Sequence, residues 1–153
     1  MITLQVTDTT VWHAANVRWI EATESDLRYV HFPGDIHFAI DGADFSTHWG
    51  WVPIWDSALG LCSILTNLQS TFDEVFEFTE SDDFIRFRRS GPLVEVTCSY
   101  SDAKGQVPLE DLRQTARDLS QELARRLRKE NPGLAESAAF LSTIERVGVD
   151  WDS

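Results

Sequence analysis

Apolar residues alternate with polar ones at Ile2, Leu4 and Val6, and the run closes at Thr7-Asp8-Thr9, which predicts a strand at the start of the chain. From Val11 to Ala22 two periods compete. Trp12, Ala15, Trp19 and Ala22 recur at helical spacing, whereas Val11, Ala15, Val17 and Trp19 also suit an extended segment; the helical reading is preferred. Leu27 to Phe32 reads as a strand, broken by Pro33-Gly34-Asp35. Ile36, Phe38 and Ile40 then alternate with His37 and Ala39 up to Asp41-Gly42, a strong hairpin turn. Phe45 to Val52 is expected to return as the second arm.

Beyond Pro53 the period changes. Leu59, Cys62, Leu65 and Leu68 follow at three-residue steps, widened by Leu61 and Ile64, so Pro53 to Leu68 is expected to form a largely buried helix. Gly60 inside it costs about 1 kcal/mol relative to Ala, which suggests close backbone packing there. Three strands follow, Glu74 to Thr79, Phe84 to Arg88 and Leu93 to Tyr100. Short turns at Ser81-Asp82-Asp83 and Ser90-Gly91-Pro92 make them an antiparallel meander. Leu109, Leu112, Ala116, Leu119, Leu123 and Leu127 define a long helix. Glu110-Asp111 and Arg125-Arg126-Leu127-Arg128-Lys129 match the two ends of its dipole, and Asn131-Pro132-Gly133 stops it. Leu134 to Val147 is a second, shorter helix, and the tail from Val149 is loose unless Trp151 docks. The sum is one α+β domain over residues 1–153: an antiparallel sheet, hairpin plus three-stranded meander, with helices packed on one face and two C-terminal helices.

Charge sharpens this picture. The 153 residues carry a formal charge of −12. Residues 1–56 hold 8 acids and 2 bases, residues 57–100 hold 7 and 3, and residues 101–153 hold 10 and 8. The first hundred residues therefore carry −10, together with most of the aromatic side chains. Such a balance opposes nucleic-acid phosphate and anionic membrane as direct partners and favours a basic protein. No window approaches 18 consecutive apolar residues, and no signal peptide is visible. With only Cys62 and Cys98 in apolar surroundings, the chain is expected to be cytoplasmic with two free thiols.

Catalytic and metal patterns are weak. His13, His31, His37 and His48 form neither H-x3-H nor H-E-x-x-H, and they read as surface or partly packed side chains; no metal and no cofactor is expected. Cys62 lies on an apolar helix stripe, where burial raises a thiol's pKa. There is no G-x-S-x-G and no glycine-rich phosphate loop. The paired acids, Asp41 with Asp44, Asp73-Glu74, and Glu80 with Asp82-Asp83, read first as solvated turns.

The segment His48-Trp49-Gly50-Trp51-Val52-Pro53-Ile54-Trp55-Asp56 stands out, with three Trp in seven residues. It reads either as core, aromatics closing one end of a sheet, or as an interface, since Trp is enriched at binding hot spots. As an interface, Trp49 and Trp51 are the anchors, and Asp41, Asp44, Glu80, Asp82 and Asp83 steer a basic partner. Two other readings compete. One is a homo-oligomeric or structural subunit joined through the Trp-rich segment; the other is an enzyme or small-ligand protein with a pocket between sheet and helix, lined by Trp49, Trp55, His37 and Asp41.

Several features recur in order over residues 27–147. They are the hairpin around Asp41-Gly42, the helix start at Trp55-Asp56, the meander with Phe76-x-Phe78-x-Glu80, and the long helix closing at Asn131-Pro132-Gly133-Leu134. This order resembles the small acidic immunity proteins of bacterial polymorphic toxin systems and related uncharacterised families. The resemblance implies a non-catalytic protein that neutralises a basic toxin by occluding its active or substrate-binding site. It transfers no individual functional residue.

Overall fold

A computed structural model describes residues 1–8 and 18–147. Strand β1 (Ile2–Asp8) is followed by α1 (Glu24–Tyr29), β2 (Pro33–Ile40), β3 (Ala43–Asp44) and β4 (Val52–Pro53). Helix α2 (Ile54–Asn67) leads to β5 (Asp73–Glu77), β6 (Phe84–Ser90), β7 (Leu93–Cys98) and β8 (Lys104–Pro108). Helices α3 (Leu109–Glu130) and α4 (Ala138–Val147) close the described chain, so the fold is α+β. Among the described residues no helix is long and apolar enough to cross a membrane.

The strands form two antiparallel sheets. In the first, β2 is central: it pairs β1 from Ile2 opposite Ile40 to Asp8 opposite Gly34, and pairs β3 and β4 on its other side. The hairpin turn is as expected, with Asp41 at φ 48° and Gly42 at φ 92°, the left-handed pair that a two-residue turn between twisted strands requires. Its second arm is not. The strand ends after Asp44, because hydroxyls take over the ladder. The Phe38 N–H donates to Ser46 Oγ (3.1 Å) and the Ile36 N–H to Thr47 Oγ1 (3.0 Å). The segment stays beside β2 through Phe45 N–H to Phe38 O and Thr47 N–H to Ile36 O, but leaves strand geometry.

The second sheet is the meander β5-β6-β7-β8, one strand longer than the sequence suggests. Its inner face buries Phe76, Ile85, Phe87, Val94, Val96 and Val107. Its outer face carries a lattice of charge: Arg86 bonds both carboxylate oxygens of Asp73 (3.0 and 2.6 Å), and Lys104 meets Glu95 at 3.3 Å. Gly105 on β8 lets the sheets touch. A Cβ there would stand 2.9 Å from Ile40 Cβ.

Helix α2 lies against the inner face at Gly60, whose absent Cβ makes room for the Phe76 ring. Helix α3 crosses α2, where Ser120 Oγ donates to Ala58 O (3.3 Å) and sits 3.2 Å from Cys62 Sγ. Arg89 reaches from β6 to the C-terminal end of α2 and donates to the carbonyls of Leu68 (2.8 Å) and Gln69 (3.0 Å), a cation where the helix dipole favours one.

Leu27 to Phe32 is the second correction. Thr23 Oγ1 accepts the Asp26 N–H while the Thr23 N–H donates to Asp26 Oδ2, a capping box that starts α1 at Glu24. That local gain outweighs the extended pattern read from the apolar residues. Arg28 then ties α1 to the first turn of α2 through Asp56 Oδ1 (2.7 Å). The helix expected from Leu134 instead begins with a 3₁₀ turn, Pro132–Glu136, before α4. Most of the predicted Val11–Ala22 helix, and the tail from Val149, lie outside the described residues; the part within them is a 3₁₀ turn at Trp19–Glu21.

Candidate functional site

The Trp-rich segment divides in the structure. Trp55, on the first turn of α2, is fully buried. Its indole N–H donates to Thr143 Oγ1 (3.3 Å) and its ring lies 5.3 Å from that of Phe140. Trp55 is core. Trp49 and Trp51 are half-buried and stack on each other, with centroids 5.2 Å apart and planes 14° from parallel. Gly50 between them has φ 81°, a backbone turn that brings both rings to one side.

Across the gap between the sheets, Trp49 meets two aromatics edge-on, Phe78 at 5.1 Å and Tyr100 at 5.1 Å. Phe78 is buried and Tyr100 partly so, and their rings stand 5.9 Å apart. The Tyr100 hydroxyl donates to Phe45 O (2.5 Å), which pins the start of the Trp loop to the end of β7. This aromatic cluster joins the two sheets at one end of the molecule.

Acids rim the cluster. Burial first, and then the proximity of Cys98, Asp83 and Asp44, pushes the Tyr100 phenol far above its ordinary value, so Asp44 and Asp83 both act on this ring from different sheets. Asp44 is exposed, and its carboxyl is held below the usual range by the hydroxyl and N–H of Ser46, the N–H at 2.9 Å. Asp83 is partly engaged in the β5–β6 turn, where it accepts Ser99 Oγ–H (3.0 Å). Glu80 and Asp82 of that turn are exposed. Glu77, Phe78, Thr79, Ser81, Asp82 and Asp83 line a depression of about 440 Å³ there, walled by three carboxylates.

Asp44, Trp49, Trp51 and Asp83 are thus brought together around Phe78 and Tyr100, with Glu80 and Asp82 on the adjoining turn. Asp41 is engaged elsewhere, its carboxylate paired with the Met1 amino group at the end of β1. The ligand pocket of Trp49, Trp55, His37 and Asp41 is not assembled. Trp55 is sealed under Phe140, and His37 Nε2 lies 3.1 Å from Thr7 Oγ1 on the β1–β2 pair. Cys62 is buried between α2 and α3, and that burial raises its thiol; Cys98 is half-buried. Among the described residues no three His, Cys, Asp or Glu side chains converge as a metal site.

Sequence reasoning missed Asp35 and Tyr100. Asp35 is a buried carboxylate on β2, facing away from Ile36, Phe38 and Ile40, and it accepts Thr47 Oγ1–H at 2.7 Å and the Trp49 N–H at 2.9 Å. The Gly50 N–H adds contacts of 3.1 and 3.0 Å to its two oxygens. In the sequence Asp35 reads as part of the Pro33-Gly34-Asp35 break, whereas the structure places all three in β2. No family model, curated protein or solved structure matches the chain.

Proposed function

We propose that this chain is a non-catalytic protein-binding domain of the immunity type, which neutralises a basic toxin domain by covering its active or substrate-binding site. The observation that carries the reading is the convergence of the stacked Trp49–Trp51 pair with Asp44, Asp83 and the exposed Glu80–Asp82 turn at one end of the fold. Half-buried tryptophans on a packed base supply apolar area at little entropic cost, which is how binding anchors work. The surrounding carboxylates, in a chain of charge −12, attract a partner that itself presents Lys and Arg to phosphate. Nuclease and deaminase toxins present such a surface. Inhibition by occlusion makes and breaks no covalent bond.

The test is co-expression with the protein encoded by the gene directly upstream. The neighbour alone is expected to arrest growth, and the chain to restore it. Trp49→Ala with Trp51→Ala, or Glu80→Lys with Asp82→Lys, is expected to lose the rescue while the chain remains folded. A harmless neighbour, or arrest that persists beside the intact chain, overturns the function. Rescue by both double variants overturns the site.

A further inference from the structure

Asp35 is a buried carboxylate, and among the described residues no cation is paired with it. Its balancing interactions are the Thr47 hydroxyl and two successive backbone N–H groups, Trp49 and Gly50, at 2.7 to 3.1 Å. Successive backbone N–H groups turned toward one point form an anion-binding concavity. Here the anion is the protein's own side chain, and the loop it holds is the one that carries the two stacked tryptophans. Gly50, at φ 81°, supplies the left-handed backbone at which the loop turns between the two tryptophans. The Tyr100 hydroxyl on Phe45 O fixes the other end of the same loop.

We infer that Asp35 is a positioning residue, which fixes the Trp49–Gly50–Trp51 loop in its binding conformation before any partner arrives. The inference rests on the reading of this face as a protein-binding site and adds how that site is prepared. Three donors converging on one carboxylate make the clamp strong, because losing that acceptor leaves all three without it. A loop of this length left to water would have to be ordered on binding, at the expense of affinity. Held by Asp35, the tryptophans meet the partner as a rigid surface.

The test is made on the free protein, so its outcome is independent of whether the partner is a toxin. Amide exchange by NMR is expected to show Trp49 and Gly50 protected although they lie outside any strand. In Asp35→Asn their protection is expected to fall about tenfold or more, while Phe87 and Val96 of the second sheet are unchanged. The stacked indoles are expected to give an exciton couplet in circular dichroism, absent in Trp51→Phe and weakened in Asp35→Asn. Thr47→Val removes one donor to the carboxylate and also the acceptor of the Ile36 N–H, so it is expected to show the same pattern in smaller measure with faster exchange at Ile36 besides, and serves if Asp35→Asn does not fold. Open-chain exchange of Trp49 and Gly50 in the wild type overturns the inference without any variant. So does a loss of protection spread evenly over both sheets, which marks a merely structural Asp35.

Discussion

Tyr100→Phe isolates one atom of the bridge between the two sheets. The substitution keeps the ring that packs on Trp49 and Phe78 and removes only the hydroxyl that donates to Phe45 O. In a regular hairpin that carbonyl would accept the Phe38 N–H, but the Phe38 N–H is committed to Ser46 Oγ. Phe45 is fully buried, so its carbonyl is left inside the protein without its donor. Such a loss costs about 1–2 kcal/mol. At about 2–4 °C per kcal/mol for a chain of this size, the melting temperature should fall by about 2–8 °C. Thermal unfolding followed by far-UV circular dichroism measures the temperature shift and urea denaturation the free-energy loss, with an unchanged m-value as the sign that the same surface is exposed. The same phenol makes a second, opposite test. Its pKa is raised in the folded protein, so the native state holds the proton more tightly than the unfolded chain does. The resulting stabilisation is fully present below the ordinary phenol value of about 10 and is lost as pH rises beyond it. Wild type should therefore lose stability above pH of about 10 more steeply than Tyr100→Phe, narrowing the gap between them. A variant as stable as wild type at neutral pH, with a parallel alkaline profile, refutes the bridge.

Other expectations follow from the same packing. Gly60→Ala should lower stability by about 1 kcal/mol even though an exposed helical Gly→Ala raises it, because the new Cβ stands 2.9 Å from a buried Phe76 ring wedged against Phe78; a rise in melting temperature contradicts this contact. One thiol per native chain, Cys98, should react promptly with a disulfide reagent, and Cys62 only on unfolding, since burial raises its pKa; two prompt thiols would place Cys62 wrongly. Thr23→Ala should fray α1 and loosen the Arg28–Asp56 tie, seen as faster amide exchange at Leu27 with little change at Phe87; unchanged exchange at Leu27 argues against the capping box.

What the sequence makes legible follows the range of the interactions involved. The leucine spacing of α3 and the Asp41-Gly42 turn are local, and both are found where the pattern puts them. Leu27 to Phe32 misleads because the deciding residues, Thr23 and Asp26, lie before the apolar run. Strand β8 leaves almost no alternation to read: its inward positions are Val107 and a glycine that seats Ile40. The Trp pair is conspicuous in the sequence, but its surroundings are not. Tyr100 meets Phe45 across 55 residues, and the groups that Asp35 holds are backbone N–H groups, which have no residue identity to recognise. Asp41 looks equivalent to Asp44 along the chain, and only the fold pairs it with the Met1 amino group.

The central claim is that carboxylates and tryptophans on one face act together on a basic partner, the acids on encounter and the tryptophans on residence. The most direct measurement is the association and dissociation rates with the upstream neighbour's protein at several salt concentrations, for wild type, Glu80→Lys with Asp82→Lys, and Trp49→Ala with Trp51→Ala. The acid variant should associate more slowly and lose most of the salt dependence, whereas the tryptophan variant should associate at nearly the wild-type rate and dissociate faster. An association rate indifferent to both salt and charge reversal, with dissociation untouched by loss of the tryptophans, would contradict the account.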